Sequence, residues 1–344
     1  MSVRAFQESR GEFWVSLAMA VGLGAAAIGI RKLSGSPVAD PLLIALLLGI
    51  FFRTVIGTPG RVKHGLTLVT TVLLPAGIVF YAANNLNLAI LMEIENNILY
   101  TLALVMIVYF SVIMLLGKVL KQRKQITYLT ATGSAVCGAS AIAALSPAVE
   151  AEPDDVSISL LAVALTGFIG FSMILPFISA LFDIDCESHC ILSGTVLQFT
   201  GMVKVANVLV PYLKTSLREG DFTSLALTIK AARYLVLLAA IPLFASLVRK
   251  KPSFPWLLWA FLAAGMIGTY FQVMDKTFFK LTVIPYIEPI HVVSWSIAMA
   301  AIGLNTDVKS LLSNNGTKAI IMAMAGFISA VMTFFAGSYI FKIF

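Results

Sequence analysis

Two cationic side chains stand inside otherwise apolar runs: Lys204, in LSGTVLQFTGMVKVANVLVP, and Arg233, in the run that continues as YLVLLAA. A charge near the centre of a bilayer costs at least about 2.5 kcal/mol, so such a residue usually faces a partner or a wet cavity. Lys204 sits deep in its run; Arg233 lies nearer the start of its own, where snorkelling to the interface is the competing explanation. The charge inside the apolar runs is mainly positive, with Glu288 the chief acidic exception, and the chemistry this favours is recognition of an anion.

Two further segments carry residues that can open a helix. TATGSAVCGASAIAALSPAV holds Gly133, Ser134, Cys137, Gly138, Ser140, Ser146 and Pro147; PYIEPIHVVSWSIAMAAIGLNTDVKSL holds Pro285, Pro289, Gly303, Asn305, Thr306 and Asp307. Where a helix opens in mid-membrane, unpaired N–H groups and a positive end of roughly half an elementary charge can face an anion, and Asn305, Thr306 or Asp307 can cap a restarting half-helix. Small residues at helical spacing, such as Gly133, Cys137 and Ala141, also make plain helix-packing surfaces.

Other candidates carry less. Glu288 and His291 share one run and can titrate, but an interfacial place explains them too. Cys186, His189 and Cys190 are three ligand types without a fourth, so no metal site is assigned. His64 falls in a basic loop, and Asn84, Asn85 and Asn87 read as a loop cap. There is no phosphate-binding glycine loop, nucleophile elbow or metalloprotease motif, which leaves ATP-driven transport and hydrolysis without residues; no enzymatic activity and no cofactor is expected, apart from a coupling ion, H+ or Na+.

The elements that position these residues are read from hydropathy. The chain has 344 residues, 59% hydrophobic and 12% charged, with mean hydropathy +0.94. A soluble domain carries about a quarter of charged residues. Eleven apolar runs are expected to cross the membrane, near 13–31, 38–56, 66–83, 97–117, 126–148, 156–182, 190–213, 224–248, 254–273, 284–304 and 317–341, as an all-α polytopic membrane protein. The net charge of +7 is gathered in short clusters between runs, where topology signals belong, so nucleic acid is not an expected partner. Three cysteines are too few for a disulfide framework.

Alternating the runs puts fourteen Lys and Arg on the N-terminal side, among them Arg123, Lys124 and Arg249, and eight on the other, among them Lys230. The N-terminus is therefore expected in the cytoplasm and the C-terminus outside, with Glu150, Glu152, Asp154 and Asp155 on the outer side. Eleven spans divide into one leading helix and two five-helix units, 38–182 and 190–344, of inverted topology; the segments opened by Gly138 and by Gly303 would then be the fourth helix of each. A short echo, Gly167-Phe168-Ile169 with Met173 and Gly326-Phe327-Ile328 with Met332, falls in the fifth helix of each unit.

The stretch GSAVCGASAIAALSPAVEAE (Gly133 to Glu152) resembles the signature of the sulfate exporter family of bacterial inner-membrane proteins, a GxSICGxSAI-type segment. In order along the chain, LLPAGIVFYAANNLNL (Leu73 to Leu88), SGTVLQFTGMVKVAN (Ser193 to Asn207) and SIAMAAIGLNTDVKSL (Ser296 to Leu311) are similar to further segments of that family. The resemblance implies a bacterial inner-membrane location and a fold similar to the sodium/proton antiporter and bile-acid symporter superfamily, with crossed broken helices in a core that moves against a scaffold. Relatives of that kind dimerise, so a homodimer is one candidate assembly. Departures accompany it: Leu197 and Gln198 stand where the family has His followed by an acid, Lys204 where a small residue is common, and Ala82, Ala83, Asn84 and Asn85 replace a Gly-Phe-Arg pattern.

The function expected from these readings is export by alternating access of a small inorganic or organic anion, such as sulfate, sulfite or an organosulfonate. The expected contacts are Gly133, Ser134, Cys137, Gly138, Ser140, Gln198, Gly303, Asn305 and Thr306, balanced by Lys204 or Arg233, where spans five and ten cross. A sodium- or proton-coupled cation carrier and a non-transporting membrane sensor or scaffold are the rivals.

Overall fold

Backbone N–H and C=O groups cannot go unpaired in lipid, and the chain answers with helix: no strand occurs among the described residues. The structure, a computed structural model, describes residues 3–35, 39–57, 62–85, 89, 92, 94–209, 219–250, 256–306 and 313–343. Its helices are α1 (Val3–Ser34), α2 (Pro41–Val55), α3 (Val62–Asn85), α4 (Asn96–Val119), α5 (Lys124–Ala135), α6 (Ala139–Leu145), α7 (Pro153–Ile169), α8 (Leu175–Leu181), α9 (Cys186–Val196), α10 (Thr200–Leu209), α11 (Glu219–Ala232), α12 (Leu237–Arg249), α13 (Trp256–Met274), α14 (Lys276–Phe278), α15 (Ile284–Asn305) and α16 (Asn314–Phe341). Short π or 3₁₀ turns join α7 to α8, α11 to α12 and α14 to α15 without breaking the rod.

Among the described residues seven helical stretches are long and apolar enough to cross a membrane: Phe13–Ser34, Gly65–Asn84, Asn96–Val119, Pro153–Leu181, Leu225–Arg249, Phe279–Asn305 and Asn314–Phe341. Pro41–Val55 and Trp259–Met274 are shorter apolar helices. Their ends carry ordinary signals. Asp40 caps α2 by accepting from the N–H groups of Leu42 and Leu43 at 2.8 and 3.2 Å, and Glu152 with Asp155 forms a capping box at α7.

The fifth and seventh apolar runs do not cross from one face to the other; each folds back on itself. In the first, α5 ends at Ala135, Gly138 turns the chain at φ 65° and ψ −120°, and α6 returns beside α5, close enough that a Cβ on Gly133 would meet the Ile142 side chain at 2.7 Å. That backbone is the first central position of a type II′ turn, which glycine takes without penalty. Both mouths of this hairpin lie at one face, because Arg123 before α5 pairs with Glu152 and Asp155 after α6 at 3.0 and 3.2 Å. In the second hairpin α9 ends at Val196, Leu197 is extended, and α10 returns so that Ser193 Oγ donates to Asn207 Oδ1 at 3.0 Å. It enters from the opposite face, since the rod Pro153–Leu181 separates the two hairpins.

This corrects two sequence-level expectations. Glu150, Glu152 and Asp155 belong to the face of Arg123 and Arg249, the last paired with Glu150 at 3.3 Å, and not to the opposite one. Lys230, counted above among the charges of the outer side, is fully buried on α11.

The tenth run is not broken either. Helix α15 continues from Ile284 to Asn305 through Pro289. Its small residues serve close packing: a Cβ on Gly303 would lie 2.3 Å from the Leu46 carbonyl oxygen and 3.0 Å from the Gly49 Cα, so α15 and α2 meet backbone to backbone. No second half-helix follows Asn305 among the described residues; Thr306 is extended, and Asp307 lies outside them. The interruptions therefore fall in the fifth and seventh runs and do not occupy matching places in the two halves.

The helices sort into two groups by their packing. One holds α1, α2, α3, α13 and α15, with α15 pressed along α2 and α3. The other surrounds the hairpins: α4 and α16 run together, α16 also meets α5, α7 and α9, and α11 lies along α9 and α10. Fewer contacts join the groups, chiefly α15 with α7 and α3 with α6.

Candidate functional site

A helix C-terminus leaves four carbonyl oxygens without intrahelical donors, and two such ends, those of α5 and α9, are buried side by side in the hairpin tips. One turn of helix satisfies both. Lys230 Nζ donates to the carbonyls of Val136, Leu197 and Gln198 at 2.6, 2.6 and 2.7 Å. Arg233, three residues on and on the same helix face, donates through Nε to Ala135 (2.8 Å), through Nη1 to Leu197 (2.7 Å) and Gly194 (3.2 Å), and through Nη2 to Ser134 (2.9 Å). Both side chains are fully buried. Three acceptors around one nitrogen use all three N–H groups of an ammonium. Positive charge at a helix C-terminus is favourable, so the two cations tie the tips together and offset their negative ends.

The opposite ends, where α6 and α10 begin, look onto a cluster of hydroxyls and aromatic rings. Tyr81 Oη on α3 lies 3.4 Å from Cys137 Sγ at the first tip, and its ring meets those of Tyr234 at 5.8 Å, His291 at 5.7 Å and Trp295 at 4.9 Å. Tyr234 Oη shares a 3.0 Å hydrogen bond with Thr200 Oγ1, at the first residue of α10. A Cβ on Gly138 would touch the Phe199 ring at 2.7 Å, so the tips are in contact. Behind them Gln198 Nε2 donates to Tyr109 Oη at 3.3 Å, and Tyr109 donates to the Val196 carbonyl at 2.9 Å. Neither cation touches a carboxylate among the described residues.

A cavity of about 410 Å³ opens between the two groups of helices, lined by Thr67, Thr70, Leu74, Ser146, Glu150 and Ile302 among others. A larger apolar groove of about 760 Å³ runs between α4 and α12. Arg233 contributes to its wall, but the guanidinium N–H groups turn to carbonyls, so the groove offers hydrocarbon and no charge to a ligand.

Of the residues expected at the site, Ser134, Cys137, Gly138, Gln198 and Arg233 converge at the tips, with Gly133 packed just behind on Ile142. Ser140 is half-buried on α6. Gly303, Asn305 and Thr306 are elsewhere, at the end of α15: Asn305 Nδ2 reaches Thr67 Oγ1 at 3.4 Å, and the Thr306 hydroxyl bonds the Ile302 carbonyl and Ser157 Oγ. Lys204 lies on α10 with its side chain outside the described residues, as are the side chain of His64 and the whole of Asn87. His189, on the first arm of the second hairpin, shares a 2.7 Å hydrogen bond with Ser179 Oγ of α8.

Sequence reasoning missed Lys230, Tyr81, Tyr234 and Trp295. The signal for Lys230 was present: with Arg233 it forms an i, i+3 pair of cations within one apolar run, which puts both on one helix face.

The chain is 27% identical over 302 residues to a UPF0324 membrane protein of Staphylococcus epidermidis, covering 88% of this chain and 89% of the relative. It is 27% identical over 313 residues to one of Brucella melitensis (87% and 83%) and 27% identical over 293 residues to one of Archaeoglobus fulgidus (84% and 83%). No solved structure matches. The membrane-protein label of these relatives agrees with the apolar helices above, and the family model described as conserved hypothetical protein 698 matches residues 15–323. The chain is a multi-pass membrane protein and belongs to that family.

Proposed function

We propose that this protein is a secondary transporter that exports a small anion by alternating access, with its substrate held where the two hairpin tips meet. The observation that carries the reading is the pair Lys230 and Arg233, buried completely and bonded only to neutral carbonyls. Two full charges face two helix ends worth roughly half a charge each, so positive potential is left over in a low-dielectric place. A cation would be repelled there. An anion beside the hydroxyls of Tyr81, Tyr234 and Thr200 would be drawn in and hydrogen-bonded by neutral donors. The sulfate exporter resemblance supports a tetrahedral sulfur oxyanion or an organosulfonate as the class. The basic clusters support an inner-membrane location with a cytoplasmic N-terminus. H+ or Na+ is the coupling ion in this reading, and Lys204, on α10 beyond Thr200, is a further candidate contact.

Reconstitution into liposomes with labelled sulfate, sulfite and a small organosulfonate tests it. Flux of at least one anion is expected, reduced at least tenfold in Tyr81→Phe/Tyr234→Phe, while Lys204→Ala reports whether that residue belongs to the path. Flux that follows sodium or pH with no anion requirement would select the cation carrier instead. Absence of any flux, with a tightly bound partner on purification, would select the sensor or scaffold.

A further inference from the structure

The cavity and the tip cluster lie along the same two helices, α3 and α15, with Trp295 between them. Thr67, Thr70 and Leu74 of α3 and Ile302 of α15 line the cavity. Further along α3 come Gly77 and then Tyr81; back along α15 come Trp295 and then His291, both in ring contact with Tyr81. Trp295 is only 1% exposed. Its Nε1–H donates to the Leu74 carbonyl at 3.1 Å, and its indole fills the place of the side chain Gly77 lacks, since a Cβ there would stand 2.3 Å from the ring. One side of the indole thus adjoins the cavity wall at Leu74. The other side lies 4.9 Å from Tyr81, which touches Cys137 at the first tip.

We infer that the 410 Å³ cavity is the entry route from the face bearing Glu150 and Arg249 to the hairpin tips, and that Trp295 is the residue that closes it. The inference rests on the transport reading. Two features fit a moving side chain. The indole is held in place by one hydrogen bond. Its acceptor sits beside Pro75, which lacks an N–H and so leaves the carbonyl of residue 71 without its usual donor, loosening α3 next to the hinge of the contact.

Cys137, just beyond the partition, is a native reporter. In a Cys186→Ser/Cys190→Ser background, a membrane-impermeant methanethiosulfonate reagent is applied to either face of vesicles of known orientation. Cys137 is expected to react slowly with Trp295 in place and at least tenfold faster in Trp295→Ala, from the Glu150 face alone. Trp295→Phe, which keeps a ring and loses the N–H, is expected to stay within threefold of the parent. In a cysteine-free background Thr70→Cys is expected to react from the Glu150 face whether or not the indole is present. An unchanged rate in Trp295→Ala, acceleration from the opposite face, or acceleration from both faces as a loosened fold would give, overturns the inference. Labelling needs no substrate, so a failed anion flux would remove the transport reading and leave this accessibility result to stand or fall separately.

Discussion

Lys230 and Arg233 make seven hydrogen bonds to six carbonyls, and those carbonyls belong to helix ends with no other donors among the described contacts. Removing one cation strands several acceptors at once, each buried unsatisfied group costing about 1–3 kcal/mol. Lys230→Met is therefore expected to destabilise by roughly 3 kcal/mol or more, seen as an early thermal transition in detergent; a change under about 0.5 kcal/mol, as at an ordinary surface site, would show that the ammonium does not hold the tips. Lys230→Arg is not conservative, because a planar fork cannot place three N–H groups around one point. At this scale the sequence was half legible. Arg233 stood out as a charge among apolar residues, whereas Lys230, three residues nearer the start of its run, was counted with the charges of one face. Burial at a tip is a tertiary fact, set by where α9 and α5 end, and neither end is visible from the residues around Lys230. Tyr81, Tyr234 and Trp295 were equally hidden, since an aromatic ring in an apolar run fits lipid, core and site alike.

A helical hairpin is hard to distinguish from a crossing helix by hydropathy, because two arms of half a membrane thickness add up to one apolar run of full length. Residues 126–148 and 190–213 each had the length of a span for this reason. Glycine gave the better clue in the first run, and Gly138 is where the chain turns. Gly138→Ala puts a Cβ at φ 65° and 2.7 Å from the Phe199 ring, so it combines backbone strain of about 1–3 kcal/mol with a clash. Phe199→Ala in the same chain is expected to recover the steric part and leave the strain; full recovery of the melting temperature would mean that the turn tolerates any residue. In the tenth run the same kind of residue means something else. Gly303 faces Gly49, and Gly303→Ala is expected to lower stability by about 1–3 kcal/mol as α2 and α15 are pushed apart. A variant that melts normally but binds anion differently would return Gly303 to the ligand site. Small residues announced close approach in both runs; whether the neighbour was a hairpin arm (Ile142), a ring (Phe199) or another helix (Gly49) depended on the tertiary fold and not on the glycine's own surroundings in sequence.

Across the whole molecule, the two hairpins enter from opposite faces and meet, so each face is sealed from the centre by one of them and by the helices that carry it. Which loops share a face then follows from ion pairs. Arg123 with Glu152 and Asp155, and Arg249 with Glu150, put the segment between α6 and α7 on the side of the loop between α4 and α5. Gln122 Nε2 donating to the Asn315 carbonyl at 2.7 Å brings the start of α16 to that side as well. The exposed pairs to Glu152 and Glu150 contribute at most about 1 kcal/mol each, so they report the topology and do not cause it. What causes it is that α5 and α6 together cannot reach the far face. Counting eleven crossings instead sends residues 148–155 to the far side and reverses Pro153–Leu181, while the ends of the other rods stay where the count of lysines and arginines puts them, because the second hairpin restores the alternation. Single cysteines in a cysteine-free background separate the two arrangements. Lys121→Cys and Glu152→Cys are expected to react with an impermeant maleimide from the same side of intact cells or inverted vesicles, and Asp183→Cys, just after α8, from the other. Opposite sidedness of Lys121→Cys and Glu152→Cys would make the fifth run a true crossing and would dissolve the meeting of tips on which the anion site is built.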